Sequence, residues 1–182
     1  MKTLKTIVVL ASLILVGCQS YSPQRYTPMP DNLPALKALP AVTIRVEPFV
    51  MATKFDATCR GVGDMTPPVN MTMQGYLQTA LADELKVAGM YDATNPKIRL
   101  TGTIDQFNFS SSKGLTNGEW NIGLSLASSN GKSMHASESY QFESAFEGGT
   151  ACRRTAEALL PAVQNLVSKV IHSNDFNALI KE

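Results

Sequence analysis

The chain has 182 residues, 44% of them hydrophobic and 17% charged, with 16 lysines and arginines against 15 aspartates and glutamates. That length suits one domain large enough to bury a real core. The near balance of charge, with no basic stripe to supply phosphate contacts, argues against a nucleic-acid partner.

Reading begins with Lys2 and Lys5, an apolar run from Ile7 to Leu15, and then Leu15-Val16-Gly17-Cys18. A basic start, a short apolar stretch and a small residue before cysteine form a bacterial lipobox, so residues 1–17 read as a lipoprotein signal peptide that is not expected to belong to the folded domain. The mature chain is expected to start at Cys18. That residue resembles the lipid-modified cysteine of bacterial lipoproteins, whose thiol takes a diacylglycerol and whose freed amino group takes a further chain such as palmitate. At about 0.8 kcal/mol per buried methylene, several chains exceed what stable anchoring requires. The membrane is thus the expected partner of Cys18, and no later stretch approaches the roughly 18 apolar residues of a spanning helix. Gln19, where enterobacterial lipoproteins retained in the inner membrane carry aspartate, implies an outer-membrane location facing the periplasm. Cleavage would leave 14 basic against 15 acidic residues, so no charge-driven partner is implied.

Residues 18–40 carry Pro23, Pro28, Pro30, Pro34 and Pro40 and are expected to form an extended tether, at about 3.1 Å per residue. A strap packed on the body is an equal alternative for Leu33 to Leu39. Residues 41–182 read as a single α+β periplasmic domain. Val42, Ile44 and Val46 alternate as a first strand that Pro48 ends. A long loop follows, punctuated by Gly61, Gly63, Pro67 and Pro68. From Thr72, Met73, Leu77, Ala80, Leu81, Leu85 and Ala88 fall at helical spacing, with Gly89 placed as a left-handed cap and Met90 as its apolar contact.

Ile98, Leu100, Gly102 and Ile104 then alternate with Arg99, Thr101, Thr103 and Asp105, while Phe107 and Phe109 switch parity, which implies a bulge or an extension covered on its other side. Ser110 to Gly118 reads as a loop. Trp120, Ile122, Leu124 and Leu126 make a third strand, and Asn130-Gly131 signals a type I′ hairpin into a fourth, whose inward parity holds Met134, Ala136, Tyr140 and Phe142 with Glu138 as an exception. From about Thr150 the stripe Cys152, Ala156, Leu159, Leu160, Val163, Val167 and Val170 marks a last helix with Pro161 as a kink. A final turn is expected to bury Phe176, Leu179 and Ile180. The order β-α-β-β-β-α implies a two-layer α+β fold: a largely antiparallel four-stranded sheet with two helices on one face. A right-handed crossover makes the first two strands parallel if they share the sheet.

With Cys18 acylated, Cys59 and Cys152 remain in an oxidising compartment and are expected to pair. They lack the close Cys/His pairs of a zinc site, so no metal or other cofactor is expected. Ser110-Ser111-Ser112-Lys113 has the spacing of a penicillin-binding serine nucleophile without the helix start and companion motifs. Gly61-Val62-Gly63 lacks the third glycine of a dinucleotide fingerprint. His135 and His172 have no catalytic partner in sequence, and Asp83-Glu84 reads as a solvated helix face. Met65, Met71 and Met73 suit core filling or an adaptable apolar groove.

The lipobox at Leu15 to Cys18, the element order, and Tyr140, Phe142 and Phe146 leading into a helix that ends near Phe176 resemble YajG-like outer-membrane lipoproteins. More distantly, the pattern is similar to the auxiliary lipoproteins of envelope transport systems. Cys59, Cys152 and the long loop after Phe55 depart from it. The resemblance implies no catalytic residue. The expected function is therefore a non-catalytic, lipid-anchored periplasmic module that binds an envelope protein or lipid. The alternatives are an envelope hydrolase using Ser110 to Ser112 or a histidine, and a structural outer-membrane or peptidoglycan-associated stabiliser.

Overall fold

A computed structural model describes residues 19–181, so the signal peptide and Cys18 lie outside the described residues. Among the described residues there are two sheets and four helices. The larger sheet contains β2 (Ile44–Val46), β3 (Val50–Met51), β6 (Ile98–Lys113), β7 (Asn117–Ser128) and β8 (Ser133–Glu143). Its ladder runs β2-β6-β7-β8, with β3 also on β6. The smaller sheet joins β1 (Ser20–Tyr21), β5 (Gly63–Met65) and β4 (Thr58–Cys59), in the order β1-β5-β4. The helices of the described residues are α1 (Asn32–Lys37), α2 (Met73–Val87), α3 (Gly148–His172) and α4 (Asn174–Ile180).

The α+β class holds, but the four-stranded sheet and two-helix count are corrected. The expected first strand forms as β2 and stops before Pro48, which cannot donate to a ladder; beyond it β3 is an additional short strand, and both are parallel to β6. The parallel pairing of Ile44 with Ile98 follows the crossover rule. The second sheet is built from strands of two or three residues, too short to show alternation. Ser110 to Gly118 is also corrected: the ladder continues through Lys113 opposite Asn117, leaving a turn at 114–116. Between Ile104 and Gln106 the register shifts, and this bulge turns Phe107 inward.

The helix ends follow their capping residues. Thr72 accepts a bond from the Gly75 amide at the start of α2, and Gly89, at φ 71°, closes it while Met90 N–H reaches back to Leu85. The Asn130-Gly131 hairpin forms, but only Gly131 takes a positive φ, and the Gly131 amide closes a turn on Ser128 in place of type I′. α3 runs 25 residues with Pro161 inside it. α2 and α3 cover one face of the large sheet, where Ile44, Leu100, Ile104, Trp120, Ile122, Leu81, Leu85, Val163 and Leu166 form the core. Phe176, Leu179 and Ile180 of α4 are buried as expected.

The expectation of an extended tether across residues 18–40 is overturned for the described part of the segment. Tyr21, Tyr26, Asn32 and Leu36 are buried in the body. The anchor point is Glu84, whose Oε1 accepts from Tyr26 Oη (2.6 Å), the Met29 amide (2.9 Å) and Asn32 Nδ2 (2.9 Å). Glu84, expected to be solvated, is only 2% exposed. The prolines stiffen this strap without holding it off the domain.

Candidate functional site

One pole of the molecule is organised by Cys59 and Cys152, which form a disulfide with both residues fully buried. It ties β4 to the start of the second turn of α3. The next residue, Arg60, takes a positive φ of 50° and reaches across the pole. Its Nε donates to Ser111 Oγ (3.1 Å), its Nη2 to the Ser111 carbonyl and its Nη1 to the Phe146 carbonyl (3.0 Å). Ser144 completes the junction: its amide donates to Thr116 O and its hydroxyl to Ser111 O (2.6 Å). Three loops are thereby held together. Gln19 enters here, its carbonyl accepting from the Asp64 amide (3.1 Å), and Glu147 caps α3 by accepting from the Gly149 and Thr150 amides (2.6 Å each). The Thr150 side chain, together with these two amides, holds the Glu147 carboxyl below its usual range.

The face of β6, β7 and β8 opposite the helices presents polar side chains such as Thr101, Asn121, Ser125, His135, Ser137, Ser139 and Gln141, exposed or half-buried. On it the register sets Ser125 opposite His135. Asp105, displaced by the bulge, joins them: Ser125 Oγ donates to Asp105 Oδ2 (2.7 Å), and His135 Nδ1 lies 3.2 Å from that oxygen and 3.3 Å from Ser125 Oγ. Serine, histidine and aspartate are together, yet the arrangement differs from a nucleophilic triad. There one imidazole nitrogen faces the serine and the other faces the carboxylate. Here Nδ1 faces both, and the carboxylate bonds the hydroxyl that would have to attack. The His135 side chain is 57% exposed, so no water-excluding wall surrounds the cluster.

The other candidates are dispersed. Ser110, Ser111 and Ser112 lie along β6, and Ser111 is occupied by Arg60 and Ser144. His172 Nδ1 sits 2.9 Å from the Ser168 carbonyl one turn earlier. Glu138, the exception to the strand pattern, is explained by α3: it faces the helix layer, paired with Lys169 Nζ at 2.6 Å and bonded by Asn165 Nδ2 at 3.3 Å. No group of metal-ligating side chains occurs among the described residues. Met71 and Met73 line a hollow of about 540 Å³ with Met51, Phe55 and Pro67, whereas Met65 is buried in the core. Asp105 and Ser125 were not recognisable as partners of His135, because the bulge and the pairing register bring them together. Arg60 gave no sequence signal beyond its place beside Cys59.

No family model matches the chain, and no curated protein matches it. Among solved structures it is similar to protein XCC0632 from Xanthomonas campestris, of the DUF330 family, with a TM-score of 0.53 and 14% identity over 88% of this chain and 96% of that one. Also similar are a Caulobacter crescentus protein described, provisionally, as a lipoprotein (TM-score 0.44, 13% identity, 78% of this chain and 90% of that one) and the hypothetical protein CT253 from Chlamydia trachomatis (TM-score 0.44, 7% identity, 78% and 98%). The likeness to XCC0632 establishes a shared fold. No helix among the described residues is long and apolar enough to cross a membrane.

Proposed function

We propose that this chain is an envelope lipoprotein, acylated on Cys18 at the periplasmic face of the outer membrane, whose domain binds a protein or lipid partner without transforming it. The observation that carries the reading is the uncovered sheet. β8 is 11 residues long and ends the ladder; Lys169 Nζ takes the Ser137 carbonyl on its outer edge (3.2 Å), and among the described residues no helix layer covers the polar face beside it. The Cys59–Cys152 bridge fits an oxidising compartment, and the lipobox fits the anchor. Photo-crosslinkers placed at Ser137, Ser139 and Gln141 in living cells are expected to capture a discrete partner, and mass spectrometry is expected to find Cys18 acylated. Crosslinks no different from those at exposed α2 positions sink the binding reading, and co-sedimentation with cell wall alone favours the stabiliser.

A second reading, a hydrolase, draws on Ser125, His135 and Asp105. It requires His135 to rotate so that its two nitrogens separate the other two groups. A serine-directed phosphonate that labels Ser125 and fails on the His135→Ala variant supports it, and absence of labelling removes it.

A further inference from the structure

The pole that carries the disulfide also carries three exposed large apolar side chains: Val62 (42% exposed), Leu115 (75%) and Phe146 (81%). Single exposed apolar residues are ordinary on protein surfaces. These three sit at the tips of three segments that converge: the β4–β5 turn, the β6–β7 turn and the loop before α3. Arg60 and Ser144 lock those segments together through Ser111, Thr116 and Phe146. Val62 lies against the first residue of α3, its Cγ1 3.4 Å from where a Gly148 Cβ would be.

The chain enters the domain at this same pole. Ser20 and Tyr21 pair in parallel with Asp64 and Met65, and Gly63 approaches so closely that a Cβ there would lie 2.1 Å from the Gln19 carbonyl oxygen. From there the strap runs away along α3, so that Gln164, about four and a half turns beyond Gly148, bonds Thr27 at 2.9 Å. One peptide bond, about 3.8 Å between Cα atoms, separates Gln19 from Cys18. An anchor on Cys18 therefore has no slack, and it must draw this end of the domain to the bilayer.

We propose that this pole is the membrane-contacting end, with Val62, Leu115 and Phe146 entering the interfacial layer of the bilayer that holds the acyl chains. The inference rests on acylation of Cys18. Net charge is not the driving force, because Arg60, Lys113, Arg153 and Arg154 share the pole with Asp64, Glu119, Glu143 and Glu147. Three apolar tips beside an acyl anchor supply the attraction, at a depth of roughly 5–10 Å. α3 and the long strands then point away from the bilayer, which leaves the open face and the β8 edge accessible from the side.

The test uses the full chain, purified from bacterial membranes and reconstituted in vesicles of phosphatidylethanolamine and phosphatidylglycerol containing acyl-brominated phosphatidylcholine. Leu115→Trp and Phe146→Trp report the pole, Lys132→Trp reports the opposite end, and the buried Trp120 is a constant background. Bromolipid is expected to quench the two pole variants several-fold more than Lys132→Trp. Acylated protein with equal quenching at all three sites overturns the orientation while leaving the anchor intact. Emission that shifts with protein concentration and not with bromolipid assigns the pole to a second copy and overturns it too. An unacylated chain that still reaches the vesicles with quenched pole variants supports the pole and removes the anchor; one that stays in solution removes both.

Discussion

Tyr26 donates its hydroxyl to Glu84 over 2.6 Å, joining positions 58 residues apart and placing a carboxylate between a strap and a helix. Burial and this neighbouring carboxylate raise the Tyr26 pKa far above the usual phenol range, so it remains a donor at any physiological pH. Three donors converge on one oxygen, and removing the acceptor would leave the Tyr26 hydroxyl and the Asn32 amide buried without it. The Glu84→Ala variant is expected to lose roughly 3 kcal/mol of stability, and Tyr26→Phe roughly 1.5 kcal/mol, in urea unfolding. Limited proteolysis should then cut first between Tyr21 and Lys37. Loss of stability without early cleavage there would separate Glu84 from the strap.

The Cys59–Cys152 bridge closes a loop across 93 positions. On the chain-entropy relation such a loop stabilises the fold by about 4 to 5 kcal/mol. Replacing both cysteines by alanine is expected to lower the unfolding free energy by that order while leaving the circular dichroism of the folded state unchanged. A loss below about 1 kcal/mol would show that the unfolded chain is already ordered around this loop.

Gly63 faces main chain, which cannot swing aside as a flexible side chain can. Gly63→Ala is therefore expected to break the β1–β5 pairing, seen as faster hydrogen exchange at the Asp64 and Thr66 amides that now bond Gln19 and Tyr21. Protection retained at both amides would mean that the strand shifts without detaching. Detachment would lengthen the link to the proposed anchor and weaken bromolipid quenching at Phe146→Trp.

Elements with a long hydrophobic period were legible in the sequence. Thr72, Gly89 and Met90 marked both ends of α2, and the parity switch at Phe107 marked the bulge. What escaped was held by contacts distant in sequence. Tyr21, Tyr26 and Leu36 show no period, because each is buried by a different part of the body and not by one face of an element. Glu84 looked solvated because its partners are Tyr26, Met29 and Asn32, more than 50 positions earlier. The cluster of Ser125, His135 and Asp105 depends on strand register plus one bulge, which no local pattern records.

Acid should weaken the domain through two surface carboxylates. Lys113 Nζ at 2.6 Å and the Ser139 hydroxyl at 2.8 Å hold the Glu119 carboxyl at about 2, down from 4.5, and the Thr150 and Gly149 donors lower Glu147 from the same value. A carboxyl whose native pKa lies below its unfolded one stabilises the fold fully above the unfolded value and loses that contribution as pH falls toward the native one. The urea midpoint is thus expected to be flat above pH 4.5 with respect to these groups and to decline between pH 4.5 and about 2. Glu119→Gln should shallow this decline, with the difference shrinking in high salt because the Lys113 pair is exposed. Glu147→Gln should act similarly but less sensitively to salt, since its main partners are the uncharged Thr150 side chain and two backbone amides at a helix start. If both variants track the parent at every pH, other carboxylates govern the acid transition, and neither the hairpin pair nor the α3 cap contributes to it.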